Sequence, residues 1–112
     1  MQISENQVGS VLVLQIRGKI LMGEGNVAIK KKIQEKVNAG TKEIVLDLAD
    51  VPYIDSSGLG ELISSYTTVQ KAGGRLKLAN LTNKIVDLLA ITKLVTVFEY
   101  YGSVEEAVAS FK

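Results

Sequence analysis

The sequence of 112 residues contains no cysteine, no histidine and no tryptophan, and it has a single proline. The absence of cysteine excludes disulfides, thiolate metal ligands and cysteine nucleophiles. The absence of histidine removes the commonest general base and the commonest metal ligand. We therefore expect a protein that is not an enzyme and that has no catalytic residue, no metal site and no cofactor.

Charge and hydropathy exclude several classes of partner. The formal net charge is only +1, so no overall field attracts nucleic acid or an acidic membrane surface. The apolar runs are much shorter than the ~20 residues that a membrane-spanning helix needs. The polar start, MQISENQVGS, lacks the hydrophobic segment of a signal peptide. We expect one domain over residues 1–112, located in the cytoplasm, with no direct contact with nucleic acid or a membrane.

Hydrophobic periodicity predicts alternating strands and helices. Apolar residues alternate with a period of two in the strands and recur at three and four positions in the helices. Strands are predicted at 2–6, Val11–Arg17, 42–48, Arg75–Ala79 and 95–98. Helices are predicted from Asn26 to about 38, from Ser57 to 71, over 82–91 with Thr82 or Asn83 as the cap, and after Ser103, which Glu106 follows as in a capping box.

The order of these elements is ββαβαβαβα, which predicts an α/β fold. Strands and helices alternate after the opening hairpin, and the crossover rule makes such strands parallel neighbours. We therefore expect a single domain with a mixed sheet of four to five strands and about four helices.

Residues 55–60, DSSGLG, stand where a predicted strand passes into a predicted helix. A serine nucleophile would need a base, and histidine is absent. The pattern G-x-S-x-G also fails, because Ile54 occupies the position of its first glycine. Neither a P-loop nor a G-x-G-x-x-G motif occurs in the sequence. Hydrolase chemistry and the common nucleotide sites are therefore disfavoured.

Two other interpretations of DSSGLG remain open. Asp55, Ser56 or Ser57 can cap the helix, but capping does not explain Gly58 and Gly60, each of which costs ~1 kcal/mol relative to alanine in a helix interior. We expect something to approach this backbone closely, either a neighbouring element or another protein. Alternatively, a hydroxyl at the helix start is open to modification, and a phosphate added there would bring about −1.5 to −2 charges and expel a partner.

The segment YIDSSGLGELI, preceded by VLDLADV, resembles the signature of anti-sigma factor antagonists, the STAS domain family. The resemblance extends over nearly the whole chain and implies a STAS-like fold. It implies that Ser56 is the phosphorylation site and that the rest of the motif contacts the partner, namely Asp55, Ser57, Gly58, Leu59 and Gly60. The implied partner is an anti-sigma factor that is itself a serine kinase. Binding of the unphosphorylated antagonist frees the sigma factor, phosphorylation weakens the hold, and a serine phosphatase restores it.

One segment departs from the family pattern. Typical members read Gly-Glu-Leu-Asp after the second strand, with the acid facing the phosphorylated serine. Residues 18–21 of this chain read GKIL, so that Leu21 takes the place of the acid. Leu21 and Met22, together with Glu24, are candidates for the partner surface. The more ordinary expectation for the two apolar residues is that they belong to the core.

A second function is also open, that of a ligand-sensing or scaffold module. Domains of the family that the sequence resembles sometimes bind a nucleotide or a lipid near the same helix start without being phosphorylated. The GEGN loop at 23–26 and the lysines of the first helix would suit such a ligand; these are Lys30, Lys31, Lys32 and Lys36. A solvated helix face is the more ordinary interpretation of the lysines.

Overall fold

The computed structural model describes the backbone of residues 1–112 and every side chain except that of Glu24. The elements follow one another in the predicted order. The strands are β1 (Gln2–Val8), β2 (Val11–Arg17), β3 (Glu43–Asp50), β4 (Arg75–Ala79) and β5 (Tyr100–Tyr101). The helices are α1 (Glu24–Asn38), α2 (Ser56–Lys71), α3 (Asn83–Ile91) and α4 (Val104–Ala109).

The five strands form one sheet in the order β1-β2-β3-β4-β5. β1 and β2 are antiparallel, because the two-residue turn after Val8 leaves no room for a crossover. β2, β3, β4 and β5 are parallel neighbours, and α1, α2 and α3 connect them in turn. The predicted mixed sheet and its element order are confirmed.

Two unequal cores lie on the two faces of the sheet, since side chains alternate along each strand. The larger core is covered by α1, α2 and α3, and it includes Leu14, Leu46 and Leu78, each at most 2% exposed. The smaller core lies around Val45 and is covered by α4 through Ala107. Ile16 and Leu48 of the larger core lie near the carboxyl ends of β2 and β3, at the edge where DSSGLG begins.

The fifth strand is not where the sequence predicts it. Residues 95–98 form no strand; Leu94–Thr96 make a turn of 3₁₀ helix, and the strand is Tyr100–Tyr101. Phe98 is 4% exposed, and its ring meets that of Tyr66 edge to face at a centroid distance of 5.5 Å. Phe98 and the half-buried Val95 pack in the larger core, whereas Val97 is exposed.

Helix α1 begins earlier than predicted. It starts at Glu24 after Gly23, which has a φ of 94° and makes no side-chain cap. The predicted cap, Asn26, lies in the first turn, where its N–H donates to the carbonyl of Leu21 at 3.2 Å. The buried Oδ1 of Asn26 accepts no hydrogen bond from the described residues. The predicted end at Asn38 is confirmed.

The caps of the later helices agree with the sequence. Thr82 Oγ1 accepts from the N–H of Ile85 at 3.4 Å, and Ser103 Oγ accepts from the N–H of Glu106 at 3.1 Å. The longest of the four helices, α2, has 16 residues. None of the helices that the structure describes combines the length and the apolar character required to cross a membrane.

Candidate functional site at the start of helix α2

Two segments of the chain meet at the carboxyl edge of the sheet, beside the start of α2. After β3 the chain passes through Pro52 and then runs beside Ile20, which lies between β2 and α1. The N–H of Ile20 donates to the carbonyl of Tyr53 at 3.0 Å, and the N–H of Asp55 donates to the carbonyl of Ile20 at 3.2 Å. Backbone hydrogen bonds therefore fasten the connection after β2 to the DSSGLG segment.

The carboxylate of Asp55 strengthens this connection. Its Oδ1 accepts from the N–H of Gly58 at 2.8 Å and caps α2, while its Oδ2 accepts from the N–H of Met22 at 3.0 Å. The N–H of Gly58, then that of Met22, lowers the pKa of Asp55, because hydrogen bonds from amides stabilise the charged form. Asp55 is thus an ionised clamp between the motif and the connection after β2.

Ser56 is the first residue of α2 and is exposed, whereas Ser57 is half-buried. Among the described residues, no hydrogen bond involves the hydroxyl of either serine. The side-chain hydrogen bonds at this helix start are accepted by the carboxylate of Asp55. The hydroxyl of Ser56 is therefore within reach of an active site brought by another protein. It also lies at the positive end of the helix dipole, where an anion is favoured.

The two glycines of the motif have different surroundings. A Cβ on Gly58 would lie 2.8 Å from Cγ2 of both Ile20 and Ile54, and closer still to the carbonyl oxygen of Ile20. The connection after β2 therefore approaches the helix so closely that residue 58 has to be glycine. Gly60 is exposed, and a Cβ built on it would meet no atom within 4 Å among the described residues.

The apolar residues after β2 lie on the surface. Met22 is 74% exposed and Leu21 is 37% exposed. The expectation that they belong to the core is wrong, because the backbone of Met22 is held outward by Asp55 and the adjacent Ile20 fills the buried position instead. The predicted contribution of the Glu24 side chain lies outside the described residues.

Two of the four lysines on α1 bind the neighbouring strand. Lys32 Nζ lies 2.8 Å from Glu5 Oε2, and Lys36 Nζ lies 2.6 Å from Glu5 Oε1. The hydrogen bond from Lys32, followed by that from Lys36, lowers the pKa of Glu5. These lysines hold α1 against β1, whereas Lys30 and Lys31 are exposed.

An apolar groove of about 340 Å³ adjoins Ser56 between the start of α2 and α3. Its walls include Tyr53, Leu59 and Leu88, and Lys84 also lines it. The sequence alone does not place α3 at the site, because only the tertiary fold brings this helix beside the motif. The position of Leu88 in the apolar stripe of α3 was the one available signal.

A larger cleft of about 640 Å³ lies at the opposite end of the sheet, where β3 and β4 begin. Lys42 and Arg75 line it with the backbone of Gly73 and Gly74. The side chain of Lys42 already donates to the carbonyl of Ala72. The carboxyl-terminal ends of α1 and α2 also face this region, and their dipoles disfavour an anion. This cleft contains no residue of the motif.

A buried carboxyl lies on α2 directly after the motif. Glu61 is 6% exposed, and its carboxylate accepts from the hydroxyl of Ser65 at 3.2 Å. Burial raises the pKa of Glu61, and the hydroxyl of Ser65 and the charge of Lys30 offset only part of the effect. Within the described residues, no group of three or more acidic side chains could hold a metal ion.

A model of the STAS domain family matches residues 2–107. The chain belongs to the STAS domain family. This STAS domain is 39% identical to the anti-sigma-B factor antagonist of Bacillus subtilis (strain 168) over 61 residues. The matched part is 54% of this chain and 56% of that protein, so the chain aligns with little more than half the length of this relative.

Solved structures share the fold of this STAS domain. The crystal structure of TM1081 from Thermotoga maritima, a candidate anti-sigma factor antagonist, has a TM-score of 0.89 at 26% identity, covering 96% of this chain and 92% of TM1081. The phosphorylated form of SpoIIAA from Bacillus has a TM-score of 0.76 at 18% identity, covering 99% and 100% of the two chains. At 18% identity, the likeness to SpoIIAA shows a shared fold and nothing about function. The predicted family and the STAS-like fold are confirmed, and the domain is similar to anti-sigma factor antagonists.

Proposed function

We propose that residues 1–112 act as one STAS domain that antagonises an anti-sigma factor and is switched by phosphorylation of Ser56. The partner is a serine kinase that also holds a sigma factor. Binding of the unphosphorylated domain releases the sigma factor for transcription, and a serine phosphatase restores the binding form after phosphorylation. Such a function belongs in the cytoplasm and needs no catalytic residue, metal or cofactor in this chain.

The observation that carries the proposal is the exposed hydroxyl of Ser56 at the first residue of α2. The fold presents this hydroxyl on a segment fixed by Asp55 and Ile20, so the kinase meets a rigid surface. The relatives that this domain resembles include an anti-sigma-B factor antagonist, and a protein of the same fold is known in a phosphorylated form.

Phosphorylation of Ser56 would change the charge of this surface without unfolding the helix. At neutral pH the phosphate would add about −1.5 to −2 charges. These charges would lie beside the ionised carboxylate of Asp55. The surrounding surface is apolar, through Met22 and Tyr53, which are 74% and 48% exposed. A partner that buries this surface would have to remove the added negative charge from water, which opposes the gain from the apolar contact.

The test uses the serine-kinase anti-sigma factors of the same genome, each purified and incubated with this domain and ATP. Mass spectrometry should find one phosphate, on Ser56, with at least one of these kinases. Ser56→Ala should abolish the labelling, whereas Ser57→Ala, the adjacent control, should keep it. Full labelling of Ser56→Ala, or no labelling of the wild type by any of these kinases, would contradict the proposal.

A second function is supported by the groove beside Ser56. Its volume of about 340 Å³ lies within the range of ligand pockets, and its apolar walls favour a lipid over a nucleotide. A ligand present at 100 times its Kd should stabilise the domain by about 2.7 kcal/mol. Thermal-shift measurements with fatty acids and with nucleotides would distinguish the two, and Leu88→Ser should abolish any shift that arises in the groove. No shift with either class would exclude this function.

A further inference from the structure

Among the described residues, Lys84 is a cation without a partner. It is the second residue of α3 and is exposed. Within that part of the chain it forms no ion pair with Asp87, the acid on the same helix, or with any other acid. Since a cation in the first turn of a helix opposes the helix dipole, the unphosphorylated fold gains no electrostatic stability from Lys84.

The tertiary fold places Lys84 at the same groove as Ser56. Both residues line the apolar groove of about 340 Å³ between the start of α2 and α3. Asp55 also lines it, but the N–H groups of Gly58 and Met22 already occupy its carboxylate. Lys84 is therefore the one cation among the described residues that line this groove.

A phosphate on Ser56 would supply the partner that Lys84 lacks. A phosphoserine carries about −1.5 to −2 charges and three strongly accepting oxygens. The ammonium of a lysine has three donors on a flexible stem, so it can follow a phosphate that extends from the helix start. The groove that both residues line has apolar walls, through Tyr53, Leu59 and Leu88, and these walls screen the attraction less than water does.

We infer that Lys84 holds the phosphate on Ser56 at the mouth of the groove, which makes α3 part of the switch. The inference rests on the proposed function and adds a positioning residue to it, on a helix that contains no part of the DSSGLG motif. One lysine neutralises only part of the added charge, so the surface at the start of α2 still becomes more negative on phosphorylation.

The test follows the protonation of the phosphate by ³¹P NMR of the full chain at a series of pH values. Phosphoserine is installed at position 56 during translation, which requires no kinase. A neighbouring cation favours the dianion and lowers the second pKa of the phosphate. Lys84→Gln should therefore raise this pKa by about 0.2–0.7 relative to the phosphorylated wild type, as expected for the loss of an exposed ion pair, whereas Lys84→Arg should keep it low.

Lys71→Gln is the matched control, because it removes the same charge from the last residue of α2, about 22 Å along the helix axis from Ser56. This distance is more than twice the screening length at physiological salt, so the pKa of the phosphate should stay at the wild-type value. Without phosphate, Lys84→Gln should melt within roughly 3 °C of the wild type, since it changes an exposed side chain.

An unchanged phosphate pKa in Lys84→Gln, or an equal rise in Lys71→Gln, would overturn the inference and leave the proposed function intact. A larger loss of stability in unphosphorylated Lys84→Gln would overturn it as well, because the lysine would then serve the fold itself. Failure of the proposed function is seen separately, as the absence of labelling of the wild type by every kinase tested. The inference would then fail with it, whatever the titration gives.

Discussion

Gly58→Ala is expected to destabilise the domain although alanine is the better helix former. The methyl group gains about 1 kcal/mol of helix propensity. It would, however, lie 2.8 Å from Cγ2 of both Ile20 and Ile54, and crowding of this kind costs about 1–3 kcal/mol. The upper end of this range applies, because the atom nearest to the new Cβ is the carbonyl oxygen of Ile20. This oxygen is held in place by the hydrogen bond that it accepts from the N–H of Asp55.

The free energy of unfolding should therefore fall by about 1–2 kcal/mol, which lowers the melting temperature of a domain of this size by roughly 5–10 °C. Differential scanning calorimetry measures the change. Gly60→Ala is the matched control, since a Cβ two residues later meets no atom within 4 Å among the described residues, and it should shift the melting temperature upward. A melting temperature of Gly58→Ala equal to or above that of the wild type would refute the account of this glycine.

Two further predictions concern pH. Asp55→Asn should lower the free energy of unfolding at neutral pH. Because the pKa of Asp55 is lowered in the folded state, the loss of stability relative to wild type should be complete above the ordinary pKa of 3.8 and should shrink as the pH falls further. Chemical denaturation at each pH would measure this loss. Glu61→Gln should raise the free energy of unfolding at neutral pH. Because burial raises the pKa of Glu61, the destabilisation caused by its ionised carboxylate should vanish below the ordinary pKa of 4.5 and grow as the pH rises above that value. The exposed Glu105→Gln is the control for the second prediction, and an equal gain in that variant would contradict the role of burial.

The sequence predicts most of the fold because its periodic signals agree with one another. Strand β2 and helix α2 each carry an uninterrupted apolar pattern, and Thr82 and Ser103 mark helix starts with side chains suited to capping. The fifth strand was misplaced because a short apolar run does not distinguish a strand from a segment that packs against a core. The start of α1 was misplaced because Gly23 begins it through backbone conformation, without a side-chain cap.

The site is predicted only in part, because its function depends on contacts between distant segments. The motif and the exposed Ser56 follow from local signals at the start of α2. The clamp between Asp55 and Met22 does not, since a hydrogen bond to a backbone N–H leaves no trace in residue type. Nor can the sequence separate Gly58 from Gly60, because only the approach of Ile20 shows which glycine the fold requires.

The central claim is that one hydroxyl at the start of α2 switches the binding of another protein. Its most direct test compares two preparations of the wild-type domain, one unphosphorylated and one phosphorylated by the kinase, in calorimetric titrations against that same ADP-bound kinase. We predict that phosphorylation on Ser56 weakens binding about tenfold or more, because the interface would have to take the added negative charge out of water beside the carboxylate of Asp55. Equal affinities of the two preparations would contradict the claim.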